Sequence, residues 1–365
     1  MLTKQIISAA AALLLMTGVA AAKQTYKTID LSNSKYPESA GAAAIVGQQA
    51  GSFTVGYYKI QCAAAAPCIV SQTHGALWTP AGARTSIDLN PAGYFSTTVT
   101  GLAAGRQVGF GYATKPNFTQ QYHALMWSGS AQSMIDLNPL HFDGSIAHAI
   151  DGLTIVGSGY RNGVGSHALV WFGTPAVMRD LNPPGYAGSE ALAAANGYQA
   201  GYVMVKGVGP HAYIWHGSPF NGRDLNPRQD GTSYISGIFG NVAIGAVTTE
   251  YGQHAYMWNS LSSSVGIDLN TSQFVETAAV AASGNKQVGW GEVGTFVPRG
   301  TPAAYHAVVW FGSAGSCIDL QRFLPVGFVA SKAVAIAPDG TILGIAEDKS
   351  GKTHAFLWVP QHLPM

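Results

Sequence analysis

In the run HALMW, residues 123–127, His123, Leu125 and Trp127 fall on one face of an extended strand, and Ala124 and Met126 on the other. A polar Ser-Gly turn follows, then a second short apolar run that closes on Asp136-Leu137 before an Asn-Pro turn. Upstream lie a strand of small and apolar residues and one ending around a Val-Gly pair, such as RQVGFGY at 106–112. The apolar runs are short and punctuated by turn residues, which predicts four short strands in about 44 residues.

That unit repeats. HxxxW occurs seven times, at His74/Trp78, His123/Trp127, His167/Trp171, His211/Trp215, His254/Trp258, His306/Trp310 and His354/Trp358. Asp-Leu also occurs seven times, at Asp30, Asp88, Asp136, Asp180, Asp224, Asp268 and Asp319. The two series are offset by one: Asp30 has no HxxxW before it, and His354 has no Asp-Leu after it. An open stack would leave a half-finished unit with a bare strand edge at each end. A ring removes both, because the N-terminal YKTIDL strand completes the unit begun at the C-terminus. The predicted fold is therefore all-β, a seven-bladed β-propeller with four-stranded blades, spanning residues 23–365 as one domain. A transmembrane barrel would need strands of about 9 to 11 residues, roughly twice these.

Composition narrows the setting. Residues 1–22 have the layout of a secretory signal peptide: Lys4, a short apolar run and a small-residue end at Ala20-Ala21-Ala22. The expectation is a secreted chain, periplasmic or extracellular, that is not an integral membrane protein. Only 10% of residues are charged, the formal net charge is +1, and there are 45 glycines. That balance suits tight β-turns and excludes a basic surface for nucleic acid. Export permits a disulfide between Cys62 and Cys68, which leaves Cys317 as a buried apolar residue.

His to Asp spans 13 residues in four units and 14 at His74/Asp88 and His254/Asp268. A four-residue turn after Trp127 would place His123 opposite Asp136, within reach of a hydrogen bond. Seven equivalent catalytic or metal sites around a ring make less physical sense than seven buried polar staples, with Trp supplying the apolar area between blades. The chain resembles the HAF-repeat family of exported bacterial proteins. HAFLW from His354 is the nearest match, HALMW, HALVW, HAYIW, HAYMW and HAVVW are variants, and HGALW at His74 is the most divergent. The resemblance implies a propeller and assigns no reaction or ligand. It also shares the logic of WD-repeat propellers, whose His, Trp and Asp are structural.

Function should then sit where the repeats differ. The segment from Val-Gly to the next His is 9 or 10 residues in four units but grows after Gly56, Gly109 and Gly289. Strand alternation puts these insertions on the face carrying the Asp-Leu loops, in blades one, two and six, beside an atypical LQRFLPVGF in blade seven. Strand ends feeding that arc carry Tyr57, Tyr58, Lys59, Phe110, Tyr112, Trp290, Glu292 and Glu347, and these are the candidate ligand-binding residues. No HExxH, GxSxG, phosphate loop or calcium loop occurs. The catalytic candidates outside the repeat are His148, Tyr160, Arg161 and Glu190, with His141 and Lys332 as further candidates; His148, Glu190 and Lys332 fall near the starts of first strands, where they would line the central funnel. The sequence thus reads as an exported binding or scaffold module for carbohydrate or protein, monomeric and without a cofactor or metal. The alternatives are a lyase-type enzyme acting on extracellular polysaccharide, and a structural component of the envelope or matrix.

Overall fold

The structure, a computed structural model, describes residues 24–33, 35–45, 47–61, 67–78, 85–112, 121–173, 177–228, 231–294 and 304–361. These build a seven-bladed β-propeller of four-stranded antiparallel blades. Blades one to six run through residues 39–88, 96–136, 144–180, 189–224, 233–268 and 277–319. Blade seven takes three strands from residues 328–361 and its fourth, Thr25–Asp30, from the other end of the chain. Thr25 pairs with Gln361 and Asp30 with Phe356, so the two chain ends close the ring as the repeat offset predicts. The first strand of every blade packs on the first strand of the next, all the way round. Among the described residues no helix is long and apolar enough to cross a membrane.

The Val-Gly glycine has a steric reason. Opposite it in blades two to seven the first strand carries a β-bulge, as between Ala147 and Ala149 or Ala191 and Ala193; in blade one the bulge between Gly41 and Ala43 faces Gly51 and not the expected Gly56, which pairs with Gln72 of the third strand. The bulge pushes a backbone carbonyl against the second strand. A Cβ on Gly157 would lie 1.9 Å from the Ile146 oxygen, and one on Gly201 1.9 Å from the Glu190 oxygen. Only glycine fits there.

Apolar area is buried between blades rather than in one central core. Seven buried clusters occupy the seven seams, and Trp78, Trp127, Trp171, Trp215, Trp258, Trp310 and Trp358 are at most 2% exposed. Three indoles also bond back to the preceding blade, as Trp171 Nε1 donates to the Leu137 carbonyl at 3.0 Å.

The insertion in blade one is a long hairpin, Gln48–Gln61 against Pro67–Trp78. The insertions of blades two and six fall at 113–120 and 295–303, outside the described residues, as do the leader and the side chains of Cys62 and Cys68. Cys317 is half-buried with a free thiol, and burial pushes its pKa up to about 12.

Candidate functional site

Each repeat histidine bonds its aspartate, Nδ1 to Oδ2, at 2.7 to 2.9 Å in all seven blades. The register differs from the expected one. Asp136 lies opposite Leu125, not His123, and the same two-residue offset recurs in the other blades. The hydrogen bond is therefore diagonal. The ladder continues past the aspartate, with Leu137 N–H donating to the Ala124 carbonyl, so the chain reaches the position across from His123 only at the Asn-Pro turn. The extra residue in blades one and five is absorbed in the turn between the third and fourth strands.

The remaining atoms of the staple tie each blade to the next. In blade three Asn182 N–H donates to Asp180 Oδ1 (2.8 Å), and Ser189 Oγ of blade four donates to Asn182 Oδ1 (2.7 Å). Ser189 Oγ in turn accepts from Ala168 N–H, next to His167, at 2.9 Å. Blade six keeps the arrangement with Gln321 in place of Asn, and Ser331 Oγ donates to its Oε1 at 2.6 Å. At the closing seam Ala355 N–H donates to Ser39 Oγ (2.9 Å). Both oxygens of each staple carboxylate are engaged in this ring, as buried polar groups normally are.

One residue outward from the staples the blades stop being alike. The residue before each histidine is Thr73, Tyr122, Ser166, Pro210, Gln253, Tyr305 or Thr353, and the residue after each staple Ser or Thr is Ala40, Thr98, Ile146, Glu190, Tyr234, Ala278 or Lys332. Both positions lie on the mouth where first and third strands begin. Two groups of half-exposed aromatics form there. At the seam of blades two and three, Tyr122 meets Phe110 and Tyr112 edge-on, at 5.1 and 5.2 Å between ring centroids. Tyr160 covers Gly144 beside them. At the seam of blades six and seven, Trp290 and Tyr305 stand nearly perpendicular at 5.1 Å. The Lys332 ammonium sits over both rings, 4.8 and 3.8 Å from their centroids. Burial lowers the Lys332 pKa, and Glu292, paired across the ladder with Tyr305, works against that.

Between these groups lies the titratable pair of blades three and four. His148 is the bulged residue of Gly144–Asp151. Its Nε2 is 3.2 Å from Ser158 Oγ and 3.8 Å from Glu190 Oε2. Tyr202, opposite Glu190 on the ladder, and Ser166 favour its ionised form, but burial outweighs them and raises its pKa. His148 is largely buried, with about a fifth of its side chain accessible, and burial holds its pKa down at about 4. At neutral pH it is an uncharged imidazole beside a carboxylate.

The predicted site residues separate accordingly. His148 and Glu190 meet. Tyr160 lies two residues beyond Ser158 on the same face of its strand, and Arg161 turns to the other face, over the Phe142 ring at 4.4 Å. Phe110 and Tyr112 join one aromatic group, and Trp290, Glu292 and Lys332 the other. Tyr57 is exposed and bonds Glu38, and Glu347 and His141 are exposed at the rim. The side chains of Tyr58 and Lys59 lie outside the described residues. Sequence reasoning missed Tyr122, Tyr202 and Tyr305. Aligning the position just before each histidine would have found two of them. Among the described residues no cluster of three or more metal-ligating side chains occurs.

No protein-family model matches the chain, and no curated protein matches it in sequence. The solved structures it resembles are propeller-bearing proteins. The β-propeller domain of the Trilobed protease from Pyrococcus furiosus, described as having an open velcro topology, superposes with a TM-score of 0.55 at 8% identity over 90% of this chain and 97% of that one. Puromycin hydrolase matches at 0.53 and 14% identity, over 86% of this chain and 52% of its own. Acylaminoacyl peptidase from Pyrococcus horikoshii matches at 0.54 and 10% identity, over 91% and 53%. The chain thus spans about half the length of the last two, and at these identities the likeness is one of fold.

Proposed function

We propose that this chain is an exported binding module of the HAF-repeat kind, which takes an extracellular glycan on the mouth where its blades differ. Residues 1–22 are its secretory leader. The observation that carries the reading is the contrast between the two layers of that mouth. The staple layer keeps the same His–Asp bond in every blade and engages both oxygens of each carboxylate. The layer above it varies from blade to blade and gathers half-exposed aromatic rings beside Glu190, Lys332, His148 and Tyr202. Ring faces pack on the C–H faces of sugars, and the neighbouring polar groups suit hydroxyls. A protein segment is the competing ligand.

A glycan array probed with the chain from Lys23 onward tests this. Binding that Trp290→Ala reduces at least about tenfold, with an unchanged melting temperature, supports the site. A blank array overturns the carbohydrate reading. The second reading is a lyase-type enzyme, favoured by the neutral His148 imidazole, suited to accept a proton, beside the Glu190–Tyr202 pair. Release of unsaturated products from the glycans that bind would establish it, and their absence would leave a binding module.

A further inference from the structure

We infer that the ligand of this mouth is a linear polysaccharide long enough to reach from one aromatic group to the other, an inference that rests on the carbohydrate reading above. The two groups sit at the seam of blades two and three and at the seam of blades six and seven. In a ring of seven these seams are four blades apart in one direction and three in the other, so they lie on opposite sides of the axis. A single sugar ring occupies one of them and leaves the other unused.

What joins them is chemistry along one side of the rim. Through blades four and five the inner positions carry side chains with hydrogen-bonding groups: Glu190, with Tyr202 opposite it on the ladder, in blade four, then Tyr234 in blade five. Through blade one the equivalent inner position is Ala40, which offers nothing but a methyl group. A chain laid over blades four and five meets rings at one end, hydroxyl and carboxylate partners along its middle, and the Lys332 ammonium between Trp290 and Tyr305 at the other end. The ends are chemically unlike. One presents tyrosine and phenylalanine rings, and the other sets the Lys332 ammonium over its rings with Glu292 beside Tyr305, so the polymer is held in one direction.

The test is a length series on the unmodified protein, with dimers, tetramers, hexamers and octamers of xylan, mannan, pectate and alginate as probes in calorimetry. Affinity for at least one series should rise roughly a hundredfold once the oligomer spans both groups, since the second contact is then intramolecular. Tyr122→Ala and Trp290→Ala should each abolish that rise while leaving the short-oligomer affinity of the other group, and the double variant should bind more weakly than either single one. If either variant fails to fold, the length series on the unmodified protein decides alone. Dimers that bind as tightly as octamers overturn the spanning ligand and leave the carbohydrate site intact. Binding of no oligomer of any length or kind overturns the carbohydrate reading itself.

Discussion

At the scale of the residue, the seven staples share one hydrogen-bond pattern and differ in exposure. His211 keeps only 10% of its side-chain surface, and its Nε2 is buried with no partner, so Asp224 supplies the one bond its ring makes. In Asp224→Ala both ring nitrogens are stranded, and chemical denaturation should show a loss of about 1 to 3 kcal/mol. His123 and Asp136 are each about 40% exposed, and water replaces the lost partner, so Asp136→Ala should cost less than about 1 kcal/mol. Equal costs would mean that burial does not set the strength of the staple. His148 gives a pH dependence. Its folded pKa of about 4 lies below the ordinary value of about 6.5, so the unfolded chain takes up the proton first and stability falls as pH drops from about 6.5 to about 4. The loss is on the order of 3 kcal/mol, and His148→Gln should remove it. Glu190 acts with the opposite sign: its raised pKa means stability is regained as pH falls through its own titration. A pH–stability curve unchanged by His148→Gln would show that this imidazole is not held neutral by the fold.

At the scale of the strand and hairpin, the glycine beside each bulge decides whether a blade can form. Gly201→Ala would set a methyl carbon 1.9 Å from the Glu190 carbonyl oxygen, and that oxygen is fixed by the ladder. The expected loss is about 3 kcal/mol or more, measured by thermal melting. Gly163→Ala is the control: its φ of +80° carries a strain of about 1 kcal/mol, with no neighbouring atom within 4 Å. At this scale the sequence was most readable. Period-two alternation, turn residues and seven copies of HxxxW and Asp-Leu placed nearly every strand. The diagonal register was not legible, because an His–Asp separation of 13 or 14 residues fits more than one turn length. The candidate site was half legible. Phe110, Trp290, Glu190 and His148 stood out as departures from the repeat, whereas Tyr122, Tyr202 and Tyr305 are joined to them only by contacts between strands and blades. The arc of long loops was legible as extra length, but length gives no direction to a side chain.

At the scale of the whole molecule, closure is what makes seven marginal sheets one domain. The strand Thr25–Asp30 brings Asp30 to His354, buries Tyr26 and sends Leu31 N–H to the Ala355 carbonyl. Removing residues 24–32 deletes all three and exposes the edge of Thr353–Gln361. The apolar seam between blades seven and one, which includes Leu31, then loses part of its packing, and so does the seam between six and seven, which includes Tyr26. The truncated chain should melt well below the intact one. Truncation alone does not separate loss of closure from loss of contacts, but a permuted chain does. Gln361 pairs directly with Thr25, so a short linker can join the two ends, and new ends can be cut in the exposed turn at Gly163-Val164 of blade three. That chain retains every strand pairing while blade three becomes the blade closed by both termini. If closure of the ring is what matters, the permutant should melt within a few degrees of the parent while the truncated chain does not. A permutant as weak as the truncated chain would show that the seam between blades seven and one is special in itself, and that the ring does not distribute its stability evenly over its seven blades.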